Sequence, residues 1–387
     1  MSGLLTLNAG SSSLKFGLYR AAREPVLLVH GQVEGIGRAA HLILSAEGQS
    51  SRADVAARTQ AEALVRVMEA LGPHMRGLEI TGVGHRVVHG GPDHGAPVVL
   101  TPDVLTALAA FTPLAPLHQP HNLAGVTAAH DMFPKSAQVA CFDTAFHRGH
   151  PWVNDTFAIP RALYDEGIRR YGFHGLSYDY VTSVIARDFP ELHKGRIIIA
   201  HLGNGASMCA VRHGKSVGST MGFSALDGLP MGTRCGQIDP GVVLYLIEQK
   251  GMAPHDVMQL LYKQSGLLGL SDQTSDMREL LASDRPEAAE AIDYYVFRAR
   301  REIGALTAVL GGLDALVFCG GIGENAAPIR RRIVEGLEYL GLRINGAPNR
   351  DDLRNIGTGP TGILVIPTDE ERVIARALQE VLAQAAA

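Results

Sequence analysis

The sequence has few cysteines and no excess of basic charge. Its 387 residues include 4 cysteines, 35 lysines and arginines, and 39 aspartates and glutamates, for a net charge of -4. The cysteines are far apart and form no C-x-x-C pair, so neither a disulfide framework nor a structural zinc site is expected. Because basic residues do not outnumber acidic ones, nucleic acid and anionic membrane surfaces are not expected as partners.

Long apolar runs are also missing. The longest apolar stretch, residues 303–322, is interrupted by Asp314 and five glycines, which argues against a membrane-spanning helix. The first residues lack the basic segment and cleavage site of a secretory signal. We therefore expect a soluble, cytoplasmic protein.

The chain contains enough apolar residues for large hydrophobic cores, and it is rich in glycine. It is 46% hydrophobic and 19% charged, and its length predicts about two domains. Predicted strands and helices alternate throughout, which favours an α/β fold. A strand–turn–strand pattern at residues 4–19 recurs at 196–211, which suggests two related domains. Helices are predicted over 58–71, 101–111, 287–310 and 370–382, strands over 137–142, 316–319 and 363–366, and a loop over 114–122.

Three small-residue turns follow apolar strands, at residues 8–13, 202–207 and 320–325. Such turns present backbone N–H groups and hydroxyls that bind phosphate oxygens, although each alone is more typical of a tight β-turn. Together they favour a nucleotide with several phosphates. The standard nucleotide-binding motifs are incomplete. A Walker loop that ends in Gly214-Lys215-Ser216 would need glycine at the position of Cys209, and a dinucleotide fingerprint that begins at Gly321 has Ala326 at its last position.

Five side chains are candidates for chemistry. Arg86 and Arg234 lie in short glycine-flanked segments suited to binding a carboxylate or phosphate, with a surface ion pair as the alternative. His174, between an aromatic residue and glycine, is a hydrogen-bond donor to a developing anion or a structural histidine. Asp143 follows a predicted buried strand, where α/β proteins place their sites. Glu370 opens the last helix, which the helix dipole alone explains.

Nine segments in order along the chain carry a resemblance to a known family. The sequence resembles the acetokinase family, within the superfamily of sugar kinases, heat-shock cognate proteins and actin. The matching segments are LNAGSSSLKF (7–16), GHRVVHGG (84–91), CFDTAFH (141–147), RRYGFHG (169–175), AHLGNGAS (200–207), MGTRCG (231–236), IDPG (238–241), GGIGENA (320–326) and PTDEERVIA (367–375).

The resemblance implies a two-domain actin-like ATPase fold, which is ribonuclease H-like, with a duplicated core and an interdomain cleft. The N-terminal domain would comprise residues 1–147 and a returning helix over 372–387, and the nucleotide-binding domain residues 148–371. The implied reaction is reversible transfer of a phosphoryl group from ATP to acetate, which gives acetyl phosphate and ADP. It would use Mg²⁺, with Mn²⁺ as a substitute, in a homodimer.

The resemblance also implies roles for individual residues. Asp143, His174 and Arg234 match catalytic positions, and Asn8 and Glu370 match magnesium positions. Substrate-binding positions are Arg86, Val88, Leu117, Phe173 and Ala225. Nucleotide-binding positions are Lys15, His201, Leu202, Gly203, Asn204, Gly205, Asp276, Met277, Arg278, Gly321, Ile322, Gly323, Glu324 and Asn325.

The chain departs from the family pattern at two places. Ala225 stands where the family has a proline that lines the acyl pocket, so propionate is an alternative substrate. After the FHG motif the family usually has Thr-Ser-His, whereas this chain has Leu176-Ser177-Tyr178. Two other classes remain as alternatives: a non-enzymatic nucleotide switch of the actin type, which would not need both arginines and His174, and a dinucleotide-dependent oxidoreductase, which the failed fingerprint disfavours.

Overall fold

The structure is a computed structural model that describes residues 1–116, 118–344, 346, 349 and 354–385. These residues form two compact units. The first contains residues 1–148 and the segment that begins at Asp369, and the second contains residues 149–368. Of the helices in the described ranges, none has the length and apolar character needed to cross a membrane.

The first unit is built on a sheet with the strand order β5-β4-β3-β2-β1-β6-β8-β7. Strands β1 to β5 form an antiparallel meander, whereas β6 and β8 run parallel to β1. The strands are β1 (Ser2–Ala9), β2 (Ser13–Arg20), β3 (Val26–Glu34), β4 (His41–Ala46), β5 (Gln49–Asp54), β6 (Glu79–Val87), β7 (Val98–Val99) and β8 (Ala137–Phe142), and the helices are α1 (Gln60–Leu71), α2 (Pro102–Ala109), α3 (Gln119–Met132) and the C-terminal helix (Glu370–Ala385).

The second unit is built on a sheet with the order β11-β10-β9-β12-β13. Its strands are β9 (Arg196–Leu202), β10 (Ala206–Arg212), β11 (Lys215–Ser219), β12 (Ala315–Cys319) and β13 (Gly362–Val365), and its helices are α4 (Trp152–Asp155), α5 (Arg161–Asp165), α6 (Gly175–Asp188), α7 (Pro190–His193), α8 (Pro240–Glu248), α9 (Pro254–Lys263), α10 (Gly266–Ser271), α11 (Met277–Leu281), α12 (Pro286–Leu310), α13 (Gly320–Asn325) and α14 (Ala327–Val334).

The two sheets share one topology. In the first, three antiparallel strands (β3, β2, β1) are followed by two parallel ones (β6, β8). In the second, three antiparallel strands (β11, β10, β9) are likewise followed by two parallel ones (β12, β13). The repeat seen in the sequence is therefore a duplicated core.

Local chemistry explains the position of the C-terminal helix on the first sheet. A Cβ atom at Gly84 would lie 2.5 Å from Cγ2 of Ile374, and one at Gly82 would lie 2.8 Å from Cδ1 of Leu378. The strand can carry no side chain there, because the helix lies too close. This close packing places Glu370, at the start of the helix, within the first unit.

Two local predictions were wrong. The predicted loop over 114–122 already contains the start of α3, whose buried face includes the polar side chains of Gln119 and Asn122. The first turn of this helix shows no apolar periodicity, because its two buried positions are polar. The predicted turn at 320–325 is the short helix α13, which begins after Gly320 adopts a φ of +75°.

Candidate active site

The first unit gathers polar side chains at the carboxyl ends of three neighbouring strands. Parallel pairing sets Leu7 of β1 beside His85 of β6, and Arg86 of β6 beside Cys141 of β8. Asn8, Arg86 and Asp143 therefore follow one another across the same edge of the sheet.

Arg86 is the centre of this group. Its Nε donates to Oδ1 of Asp143 at 2.9 Å and its NH2 to Oδ2 at 2.6 Å, while NH1 donates to Oδ1 of Asn8 at 3.0 Å. The Oε2 atom of Glu370 lies 3.8 Å from Nε. Burial alone would lower the pKa of Arg86, but the charges of Asp143 and Glu370 more than offset it and raise that pKa above its usual range. The guanidinium is thus permanently charged and fixed in a planar fork.

The acidic side chains near Arg86 also include Glu371, which was not among the predicted site residues. Burial and the charge of Glu370 raise the pKa of Glu371, and the ammonium group of Lys15 acts in the opposite direction. Lys15 is the β2 partner of Asn8, which explains its position near this helix end. In the sequence, Glu371 opens the last helix together with Glu370, which the helix dipole alone explains, and it lies in the PTDEERVIA segment.

The oxygen atoms of Asn8 and Glu370 suit a hard divalent cation. Both approach Arg86, so an amide oxygen and a carboxylate meet in one partly buried place. In the described part of the chain, no three His, Cys, Asp or Glu side chains form a group that could hold a metal by themselves. An amide oxygen and a carboxylate are ligand types that suit Mg²⁺, which protein sites bind through one or two carboxylates together with water and substrate phosphates.

In the second unit, His174 and Arg234 point at Gly205. A Cβ atom at Gly205 would lie 3.1 Å from Nε2 of His174 and 3.9 Å from NH2 of Arg234. Gly205 belongs to the turn between β9 and β10, where the N–H of Gly203 donates to the carbonyl of Gly205 at 3.0 Å. An imidazole nitrogen and a guanidinium therefore flank one open backbone position, which suits stabilisation of an anion.

The backbone around Arg234 is tightly held. The N–H of Met231 donates to the carbonyl of Arg234 at 3.0 Å, and NH1 of Arg234 donates to the carbonyl of Ala225 at 2.9 Å. Gly266, with a φ of +62°, packs on this turn so closely that a Cβ there would lie 2.1 Å from the carbonyl oxygen of Met231. The guanidinium is thus positioned before any ligand binds.

A pocket of about 550 Å³ in the second unit contains many of the predicted nucleotide-binding residues. This volume is typical of a small-molecule site. Arg278 hydrogen-bonds the Asp276 carboxylate and lowers its pKa to about 2, so both groups are charged at neutral pH. Of the predicted residues, the pocket is lined by Gly203, Asn204, Asp276, Met277, Arg278, Gly321, Ile322 and Asn325.

Three other predicted nucleotide residues, Leu202, Gly323 and Glu324, do not line this pocket. Leu202 is fully buried, and Gly323 is buried as well. The carboxylate of Glu324 accepts hydrogen bonds from the N–H groups of Gly320 and Thr368, at 2.8 and 3.1 Å. These contacts favour a supporting role for these three residues.

The predicted apolar substrate positions differ in exposure. Val88 and Phe173 are buried, and the N–H of Val88 donates to Oδ1 of Asn122 at 2.9 Å. Ala225 is partly exposed and accepts the hydrogen bond from Arg234. Leu117 lies outside the described residues.

Comparison with known proteins identifies the family. The model of the acetokinase family matches residues 3–376. The chain belongs to the acetokinase family. Acetate kinase from Methylocella silvestris is 50% identical, with 99% of each chain covered. The family resemblance drawn from the nine sequence segments is therefore confirmed.

Solved structures confirm the actin-like α/β fold class. Porphyromonas gingivalis acetate kinase superposes with a TM-score of 0.87 at 36% identity, covering 99% of this chain and 100% of that one. A propionate kinase from Francisella tularensis superposes with a TM-score of 0.91 at 37% identity, covering 98% of this chain and 100% of that one. As a member of this family, the protein is a phosphotransferase with a carboxyl group as acceptor.

The residues that support the site were not predicted from the sequence. Asn122 donates to the carbonyl of Ala9 at 2.6 Å and so joins the end of β1 to the segment after β6. The hydroxyl of Ser207 contacts Nδ1 of His174, and the hydroxyl of Tyr178 contacts that of Ser207. Buried polar side chains of this kind leave no motif, because their partners are distant in sequence.

Proposed function

We propose that this protein catalyses direct, reversible transfer of the γ-phosphoryl group of ATP to acetate. An acetate oxygen forms the new P–O bond, the bond to the β-phosphate oxygen breaks, and acetyl phosphate and ADP result. The observation that carries this proposal is the acetokinase family match over residues 3–376. The two compact units are, in this proposal, the two actin-like domains.

Arg86 binds the acetate carboxylate. Acetate is ionised at neutral pH and needs no base, so the chemical difficulty is bringing two anions together. Both carboxylate oxygens of Asp143 accept hydrogen bonds from Arg86. This contact supports a role for Asp143 in orienting the guanidinium rather than in removing a proton.

His174 and Arg234 stabilise the phosphoryl group during transfer. Negative charge on its three equatorial oxygens must be neutralised for transfer to occur. The convergence of His174 Nε2 and Arg234 NH2 on Gly205 supports this assignment. The pocket that contains Asp276, Arg278 and Gly321 binds the rest of the nucleotide.

Asn8 and Glu370 hold the magnesium ion in this proposal. When bound, the ion neutralises phosphate charge, which complements the arginines. The oxygen donors of these two side chains and their shared neighbour Arg86 support the assignment.

Trapping the product tests the activity. Purified protein is incubated with ATP, Mg²⁺, acetate and hydroxylamine, and acetyl hydroxamate is measured against a sample without ATP. The proposal predicts ATP-dependent hydroxamate. Absence of product with acetate, propionate and butyrate would leave the non-enzymatic nucleotide switch as the better account.

Propionate is a second substrate in this proposal. Ala225 is smaller than the proline expected at its position, and a structural relative at 37% identity is a propionate kinase. Apolar pockets discriminate one methylene by only about 1–3 kcal/mol. Comparing kcat/KM for acetate and propionate decides which is preferred, and we expect acetate.

We also propose a homodimer formed through α8. This helix, with the sequence PGVVLYLIE, has no buried residue between Pro240 and Glu248. Leu244 and Tyr245 are 55% and 53% exposed, which is unusual for adjacent large apolar side chains. Light scattering after gel filtration should give a dimer, and Leu244→Glu should give a monomer. A monomeric wild type would contradict this assignment.

A cytoplasmic location completes the proposal. All four cysteines, each within the described residues, are thiols, and Cys141, Cys209 and Cys319 are buried. Thiols without disulfides are usual in reducing compartments. Cell fractionation tests this location.

A further inference from the structure

Two histidines of the second unit stack on each other. His174 immediately precedes α6, and His201 lies near the end of β9. Their ring centroids are 4.3 Å apart and the ring planes differ by 21°. Each Nδ1 atom contacts a serine hydroxyl at 2.8 Å, Ser207 for His174 and Ser177 for His201.

A tyrosine extends the contact at His174. The hydroxyl of Tyr178 lies 2.5 Å from Oγ of Ser207. Tyr178, Ser207 and Ser177 are all 0% exposed, so water does not compete for these hydrogen bonds. The strand register places Ser207 directly opposite His201, and Ser177 and Tyr178 are neighbours in α6. Two neighbouring residues of α6 therefore take part in the hydrogen bonds of both stacked rings: Ser177 contacts His201, and Tyr178 contacts Ser207 beside His174.

The order of donors in this series follows from the acidity of the groups. A phenol is a stronger donor and a weaker acceptor than an aliphatic hydroxyl, so Tyr178 donates to Ser207. Burial raises the pKa of Tyr178 well above 10, which keeps its proton in place. Ser207 has a single hydroxyl proton, which it then donates to Nδ1 of His174. A neutral imidazole that accepts at Nδ1 carries its hydrogen on Nε2.

We propose that Tyr178, acting through Ser207, is a positioning residue that holds His174 as the neutral tautomer with hydrogen on Nε2. That atom faces Gly205 beside Arg234, where the phosphoryl group would develop its charge. The importance of the tautomer for catalysis rests on the proposed function, whereas the tautomer itself does not.

Nitrogen NMR tests the tautomer without reference to activity. The wild-type protein is labelled with ¹⁵N-histidine, and the His174 signals are assigned by comparison with His174→Gln. We expect Nε2 to carry the hydrogen in the wild type and a mixture of tautomers in Tyr178→Phe. A wild-type His174 protonated on Nδ1 overturns the proposal, even if every variant loses activity.

Kinetics test the positioning role. Tyr178→Phe keeps the ring and should lower kcat about tenfold, with the KM values for ATP and acetate unchanged, because one hydrogen bond in the series is lost. The double variant with Ser207→Ala should be no worse than Ser207→Ala alone, because both substitutions interrupt one series. If the fold-losses of kcat from Tyr178→Phe and Ser207→Ala multiply in the double variant, the proposal is contradicted.

The matched control is Tyr295→Phe. Tyr295 is also buried, and its hydroxyl has no hydrogen-bond partner among the described residues. We expect normal kcat in this variant, and a loss equal to that of Tyr178→Phe would mean that any buried tyrosine hydroxyl matters and would overturn the specific role. If the wild type forms no acyl hydroxamate, the proposed function fails while the NMR result still decides the tautomer.

Discussion

Replacing Gly205 with alanine should separate catalysis from folding. The φ of Gly205 lies outside the left-handed region, so alanine fits the backbone. Its Cβ would lie 3.1 Å from Nε2 and 3.4 Å from Cε1 of His174, and the imidazole must shift by a few tenths of an ångström. Such local crowding costs about 1 kcal/mol of unfolding free energy. The methyl group also occupies the space between His174 and Arg234.

The expected catalytic loss is much larger than the loss of stability. Removing one preorganised donor from a developing anion typically costs about 100- to 1,000-fold in kcat. We therefore expect kcat of Gly205→Ala to fall about 100-fold, measured by hydroxamate formation at saturating substrates, while Tm falls by about 2–4 °C.

Gly218→Ala is the control for this experiment. Gly218 lies in β11, and a Cβ there would be 3.7 Å from its nearest neighbour, Cγ1 of Val309. This variant should keep wild-type kcat. If Gly205→Ala also keeps kcat within about threefold, the space beside His174 and Arg234 is not where the reaction occurs.

Three further substitutions test other parts of the account. Asp143→Asn breaks a buried ion pair with Arg86, so unfolding in urea should show a loss of about 3 kcal/mol. The kcat value should fall while the ionisations in its pH profile stay those of the wild type; if Asp143 were a general base, the variant would instead lose one ionisation that the wild type shows. Ala225→Pro should lower kcat/KM for propionate relative to acetate by about tenfold, and an unchanged ratio would remove Ala225 from the acyl pocket. Burial lowers the pKa of His85 to about 4 despite its hydrogen bond to Gln138. Between pH 6.5 and 4 the unfolded chain therefore binds more protons than the folded one, so the unfolding free energy of the wild type should fall by up to about 3 kcal/mol over this range. In urea unfolding, His85→Gln should show a shallower dependence of unfolding free energy on pH. Equal dependence in the two proteins would contradict the lowered pKa of His85.

The sequence predicted those parts of the fold that depend on local pattern. The strand at residues 137–142 was predicted with the bounds of β8, and the helix over 287–310 differs from α12 by one residue. Strand β8 is a short, almost continuously buried run, whereas α12 buries apolar side chains at helical spacing, and both patterns can be recognised in the sequence. Helix α3 was missed because the side chains of Gln119 and Asn122 fill buried positions that the pattern reserves for apolar residues.

Much of the candidate site depends on contacts that no local pattern reveals. Motifs located Arg86, Asp143 and His174, but not the bidentate contact between the first two, which are 57 residues apart. They also gave no sign of the series from Tyr178 to His174, since Ser207 and His174 are 33 residues apart in the sequence.

The central claim is that cationic side chains let two anionic reactants meet, and kcat of Arg234→Ala tests it most directly. Thermal unfolding first establishes that the variant is folded. The account predicts that acetyl phosphate formation at saturating ATP and acetate falls at least about 100-fold. A kcat within about threefold of wild type would contradict it.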